Sequence, residues 1–94
     1  MDNMNTKNFT IEEARIALMN YNTAAEKSGE EVDTKILSVN DDNTVDWIYF
    51  GSKHHSKIKI INKWVFLEFS EFGEIIEEGD GIFIIPEKVE KYLK

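Results

Sequence analysis

The chain contains no cysteine, one proline and a single arginine among its 94 residues. Without cysteine it has no disulfide bond, no thiol nucleophile and no cysteine-based zinc site. With Arg15 as its one arginine, it is poor in the planar guanidinium groups that bind phosphate and carboxylate through two hydrogen bonds. These absences exclude thiol chemistry and argue against a nucleotide or phosphopeptide site.

Long hydrophobic runs are also missing. The longest, 64–67 and 82–85, have the length of a strand, whereas a helix that crosses a bilayer needs roughly 20 apolar residues. Residues 1–8 are polar and include an early acid, unlike an export signal, which begins basic and then becomes apolar. We therefore expect a cytoplasmic protein with a flexible tail over 1–8 and a single α+β domain over 9–94.

One helix is predicted near the start of the chain. Thr10 and Glu13 have the spacing of a capping box, and apolar residues recur at helical spacing from Ile11 onward. Ser28 and Gly29 supply a stop signal. The pattern predicts a helix over 11–27.

After residue 32 the hydrophobic period changes to two, and turn residues fall at short intervals. The connections are too short for parallel crossovers, so the sheet is expected to be antiparallel. We predict a five- or six-stranded meander, as a curved sheet or small barrel, followed by a short helix over 87–93 that Pro86 opens. The predicted strands are 32–39, 44–50, 56–61, 64–69, 74–77 and 82–85.

Motifs for catalysis or cofactor binding are absent from the sequence. His54 and His55 are adjacent, so in a strand they point to opposite faces and suit two solvated side chains better than one metal site. Asp41, Asp42 and Asn43 lack the order of a calcium loop and are ordinary turn residues. No glycine-rich phosphate loop, nucleophile elbow or zinc-protease motif occurs. We expect no catalytic residue, no metal, no cofactor and no enzymatic activity.

Charge is the one distinctive feature. The net charge of -7 repels nucleic acids and anionic membranes, and favours basic partners. Between residues 64 and 87 there are seven acids and no lysine or arginine, whereas four lysines cluster over 53–63 without an acid. The acids are Glu68, Glu71, Glu74, Glu77, Glu78, Asp80 and Glu87.

This partition leads to a functional hypothesis. We expect a small, acidic, non-enzymatic binding protein that docks an acidic face on a basic protein, as an inhibitor or immunity protein does with a nuclease or DNA-binding protein. The composition, rich in lysine, asparagine and isoleucine, indicates an AT-rich genome and fits a phage or bacterial source. Phe69, Phe72 or Tyr49 would serve as aromatic anchors, whereas the alternating positions of Trp47, Trp64 and Phe66 predict that these residues lie in the core. The predicted contact residues are Glu68, Glu71, Glu74, Glu77, Glu78 and Asp80.

Three other interpretations stay open at this point. The acids could simply solvate a small domain. The sheet could hold an aromatic-lined pocket in which His54, His55 or a lysine reads a small ligand. The chain could also be a structural subunit whose edge strands or terminal helix pair with another copy, so its oligomeric state is open.

Overall fold

The computed structural model describes residues 9–29, 33–71, 74–75 and 79–93. The predicted tail over 1–8 lies outside these residues, as do Phe72, Glu77 and Glu78. The described chain is α+β, with two helices first, antiparallel strands next and a helix last. The helices are α1 (Ile11–Met19), α2 (Tyr21–Lys27) and α3 (Pro86–Tyr92). The strands are β1 (Thr34–Val39), β2 (Thr44–Tyr49), β3 (Ser52–Lys57), β4 (Lys59–Ile61), β5 (Trp64–Glu68), β6 (Ser70–Glu71), β7 (Glu74–Ile75) and β8 (Gly81–Ile84).

The capping box is confirmed at the start of α1. The Glu13 N–H donates to Thr10 Oγ1 at 3.1 Å, and the Thr10 N–H donates to Glu13 Oε1 at 2.9 Å. The prediction of one helix over 11–27 is wrong, because the helix divides at Asn20. The Asn20 side-chain amide donates to the Tyr92 carbonyl oxygen, so this residue ties the break to α3.

The strands form two open sheets of three strands, in the orders β1-β2-β3 and β4-β5-β8, and a two-stranded β6-β7 hairpin. The prediction of a single meander or barrel is therefore wrong, although the antiparallel pairing is confirmed. The physical reason is a change of pairing partner at Ile58 and at Phe69. The chain before Ile58 pairs with β2 and the chain after it with β5. The chain before Phe69 pairs with β4 and β8, and the chain after it pairs with β7.

One hydrophobic cluster joins the helices to both sheets. Ala14 and Leu18 of α1, Trp47 of β2, Leu67 of β5 and Val89 of α3 are all fully buried in it. Trp47 was expected in the core from its alternating position, and this is confirmed. Within the part of the chain that the structure describes, none of the helices is long and apolar enough to cross a membrane.

Candidate functional site

The predicted contact residues lie between Glu68 and Asp80, a stretch that we call the acidic segment. Glu68, the first of them, closes the base of this segment. It ends β5 and is only 5% exposed. Its Oε2 accepts the Gly79 N–H at 2.6 Å, and its Oε1 lies 2.7 Å from Lys59 Nζ. The Gly79 hydrogen bond, followed by the Lys59 ammonium, holds the pKa of Glu68 below its usual value. Because both carboxylate oxygens are engaged inside the protein, Glu68 positions the segment and is not part of an exposed acidic face.

The next acids lie on the β6–β7 hairpin. Glu71 and Glu74 are register partners across the hairpin, so two acidic positions directly oppose each other. Asp80 is exposed immediately before β8, and its Oδ1 accepts the Gly81 N–H at 3.0 Å. The structure thus brings Glu71 and Glu74 together and places Asp80 at the start of the following strand.

The aromatic residues proposed as anchors are less exposed than expected. Phe69 is half-buried, with its ring 5.8 Å from that of Trp47, 5.0 Å from Tyr49 and 5.1 Å from His54. Tyr49 is also half-buried. These rings pack with one another at the junction of the two sheets, so Phe69 and Tyr49 act mainly as structural residues.

Two exposed aromatic residues lie together elsewhere, on the outer face of the second sheet. Trp64, expected in the core, is 39% exposed, and Phe83 is 46% exposed. Together with Ile61 they line a groove of about 320 Å³. Phe66 lies beneath it, buried and stacked on Phe83 at 4.2 Å. The alternation of Trp64, Phe66 and Glu68 along β5 was the sequence signal that could have shown one shared face.

A polar seam holds the two sheets together where the long strands separate. Trp47 Nε1 donates to Ser56 Oγ at 2.9 Å, and Ser56 Oγ donates to the Glu68 carbonyl oxygen. Ser70 Oγ donates to the carbonyl oxygen of residue 55. His54 Nδ1 lies 3.0 Å from the Ser70 carbonyl oxygen. These side-chain hydrogen bonds take the place of the backbone hydrogen bonds of a sheet. The expectation that His54 is solvated is wrong, because its side chain is buried.

His55 points to the outer surface and pairs with Asp46. His55 Nδ1 lies 2.7 Å from Asp46 Oδ1, and both side chains are partly exposed. The bond to His55, and then one from Asn40, lowers the pKa of Asp46. A cleft of about 550 Å³ opens beside this pair. Its lining residues are Thr44, His55, Ser56, Lys57, Lys59, Glu68 and Ser70.

Two of the hydroxyl groups that line this cleft are bonded to the backbone of neighbouring strands. Those of Ser56 and Ser70 both donate to backbone carbonyl oxygens and so help to hold the strands together. Over the described residues, no group of three or more histidine or acidic side chains could hold a metal ion.

Comparison with known proteins adds no relative: no family model, no curated protein and no solved structure matches the chain.

Proposed function

We propose that this chain is a non-enzymatic binding protein that docks its acidic segment on a basic protein partner. An inhibitor or immunity role toward a nuclease or DNA-binding protein is the form we favour. The carrying observation is the β6–β7 hairpin, in which Glu71 faces Glu74 across the strand pair. The acid-only stretch of sequence continues to Asp80, which is exposed.

Electrostatics gives the hairpin its proposed role. The register places two acidic residues at opposed positions of the strand pair, and a lysine or arginine of a partner is complementary to that concentration of negative charge. Glu68 supports the surface indirectly, because its bond to the Gly79 N–H fixes the chain that leaves the hairpin. Glu71, Glu74 and Asp80 are therefore the proposed contact residues whose positions are described, and Glu77 and Glu78 complete the set from sequence.

Affinity capture from the source cell, or from an infected host, tests this proposal. The tagged chain is used at low and high salt, with captured proteins identified by mass spectrometry. We expect a basic nucleic-acid-binding protein that is released by salt, because exposed charges are screened within about 10 Å at 0.1 M salt. Inhibition of the captured protein's nuclease or DNA-binding activity then tests the inhibitor role.

A matched pair of charge reversals makes the test specific. Glu71→Lys with Glu74→Lys should abolish the salt-sensitive capture. Glu26→Lys with Glu90→Lys changes the net charge equally at exposed helix positions and should preserve it. Equal capture by both double variants would show that the hairpin is not the contact.

The cleft beside His55 favours a second candidate, the binding of a small ligand. Its volume of about 550 Å³ lies in the range of small-molecule sites. Its walls are polar residues and two lysines, not the aromatic residues expected from sequence. Saturation-transfer NMR with a library of small metabolites tests this candidate. A ligand whose signal is lost in Lys57→Ala but kept in Lys53→Ala would support it, and no ligand at millimolar concentration would reject it.

A further inference from the structure

The outer edge of β8 differs from the outer edge of β1 in how it is protected. In β1, Asn22 Nδ2 donates to the Ile36 carbonyl oxygen at 2.6 Å, and the Ile36 N–H donates to Asn22 Oδ1 at 2.9 Å. One side chain from α2 thus occupies the backbone edge, and the register is also irregular between Ile36 and Ser38. Both features discourage the addition of another strand.

Over residues 9–29, 33–71, 74–75 and 79–93, β8 is protected less than β1: one side-chain bond reaches its backbone, from the Gly81 N–H to Oδ1 of the adjacent, exposed Asp80 at 3.0 Å. β8 pairs with β5 on one side and is the last strand of its sheet. Its register with β5 is continuous from Gly81 to Ile84. An edge strand of this kind presents backbone N–H and C=O groups to which an extended segment can bond.

The groove on the adjacent face provides side-chain contacts for such a segment. Phe83 is on β8 itself, and Trp64 contacts it edge-to-face with ring centroids 5.9 Å apart. With Ile61 of β4 these side chains leave a shallow apolar depression on the face of the sheet, and Phe83 is the wall nearest the β8 edge. A strand added at an edge places alternate side chains over the same face, so one apolar side chain of the added strand would reach this depression.

Charge indicates which occupant suits the edge. Exposed Asp80 and Glu87 flank β8 at its two ends, and the sequence between them contains no lysine or arginine. Antiparallel pairing of two copies through β8 would bring Asp80 of one copy toward Glu87 of the other, which is repulsive. The nearest lysines of this sheet, Lys59 and Lys63, lie on β4 and its turn at the opposite edge. A basic strand from another protein is complementary where a second copy is not.

We propose that β8 binds an extended, lysine- or arginine-rich segment of the partner as an added strand, with one bulky apolar side chain in the groove formed by Ile61, Trp64 and Phe83. This inference rests on the proposed function and specifies the chemistry of the partner. The hairpin would contribute long-range attraction, and β8 would contribute the backbone hydrogen bonds.

Peptide binding to the full chain tests the inference. The probe is the acetylated peptide Lys-Val-Lys-Phe-Lys-Val-Lys, and its control is the same peptide with its backbone amides N-methylated on both edges. The control keeps charge and side chains but cannot donate backbone hydrogen bonds to a strand from either edge. We expect the first peptide to slow amide hydrogen exchange at Phe83, because the Phe69–Asp80 bond and the β5 register direct the Ile82 and Ile84 amides toward β5 and the Phe83 amide toward the outer edge. The N-methylated peptide should leave exchange at Phe83 unchanged. Equal effects of the two peptides, or protection confined to other strands, would overturn the inference.

A pair of aromatic variants supplies the second measurement. Phe83→Ser should weaken binding of the peptide about tenfold, as loss of an interface anchor does, whereas Phe50→Ser removes an exposed phenylalanine at the far hairpin and should leave binding unchanged. Protection of the β8 amides in the free chain together with a dimeric mass in sedimentation would identify a second copy as the occupant and overturn the inference.

Capture of the natural partner separates the two proposals. If the reversal of Glu71 and Glu74 abolishes capture while Phe83→Ser leaves it unchanged, the strand-addition inference fails and the acidic docking proposal stands. If the hairpin reversal has no effect on capture, the proposed function fails.

Discussion

Glu68 and Gly79 close the base of the acidic segment: the Gly79 N–H donates to Glu68 Oε2 at 2.6 Å across 11 residues of sequence. The neighbouring Phe69 N–H donates to the Asp80 carbonyl oxygen at 2.9 Å, which makes a second bond at the same place. The segment that carries the proposed contact residues is thus tied at its base to the second sheet. The ionised side chain of Glu68 thereby helps to fix the position of the proposed contact residues.

Replacing Glu68 by glutamine is expected to lower the urea midpoint and to speed hydrogen exchange at the Gly79 amide. Glutamine keeps the size of the side chain but loses the charge that strengthens the bond to Gly79 and pairs with Lys59. Urea unfolding and hydrogen exchange measured by NMR provide the readouts. Glu90→Gln, at an exposed position of α3, is the control and should change neither. Unchanged exchange at Gly79 would contradict the positioning role.

Stability should fall as the pH is lowered through the acid range. The folded-state pKa values of Glu68 and Asp46 lie below their ordinary values, so the unfolded chain binds more protons than the folded chain in this range. The stabilisation is therefore complete above the ordinary pKa values of the unfolded chain, 4.5 for glutamate and 3.8 for aspartate, and is lost as the pH falls through the folded-state pKa values. Urea midpoints measured from neutral pH downward test this, and Glu68→Gln should flatten the decline.

Ser56→Ala should destabilise the protein by about 1–3 kcal/mol, because it removes the acceptor of a buried donor. Trp47 is fully buried and its Nε1–H bonds to Ser56 Oγ at 2.9 Å, so the variant leaves this donor without its partner. Tryptophan fluorescence during urea unfolding measures the loss. Ser52→Ala, on the same strand but exposed, should cost far less. Equal losses of stability in the two variants would show that the hydrogen bond between Trp47 and Ser56 does not stabilise the fold.

Asn22→Val should make the chain associate as its concentration rises. The substitution removes both hydrogen bonds to Ile36 and exposes the outer edge of β1 to other strands. Light scattering over a concentration series measures the association. Thr23→Val at the adjacent exposed position introduces the same side chain without opening an edge. A monomeric Asn22→Val protein would show that the amide does not protect this strand.

Local features of the fold were predictable where neighbouring residues decide them. The capping box at Thr10, the alternation that buries Trp47, and the final helix opened by Pro86 all depend on residues close in sequence. The break between α1 and α2 was not predictable in this way. Asn20 is an acceptable helix residue by itself, and its bond is to Tyr92, far along the chain.

The candidate site follows the same division. The sequence predicted the acidic segment, the lysine-rich stretch before it and the absence of thiol chemistry, because these features depend only on composition and residue order. The tertiary structure decided that Glu68 is buried against Lys59 and Gly79, since carboxylate burial depends on groups brought in by other strands. It also decided that β8 lies beside β5 at a sheet edge and that the one predicted meander divides into two sheets, because the strands change pairing partner at Ile58 and Phe69 and the new partners lie elsewhere in the sequence.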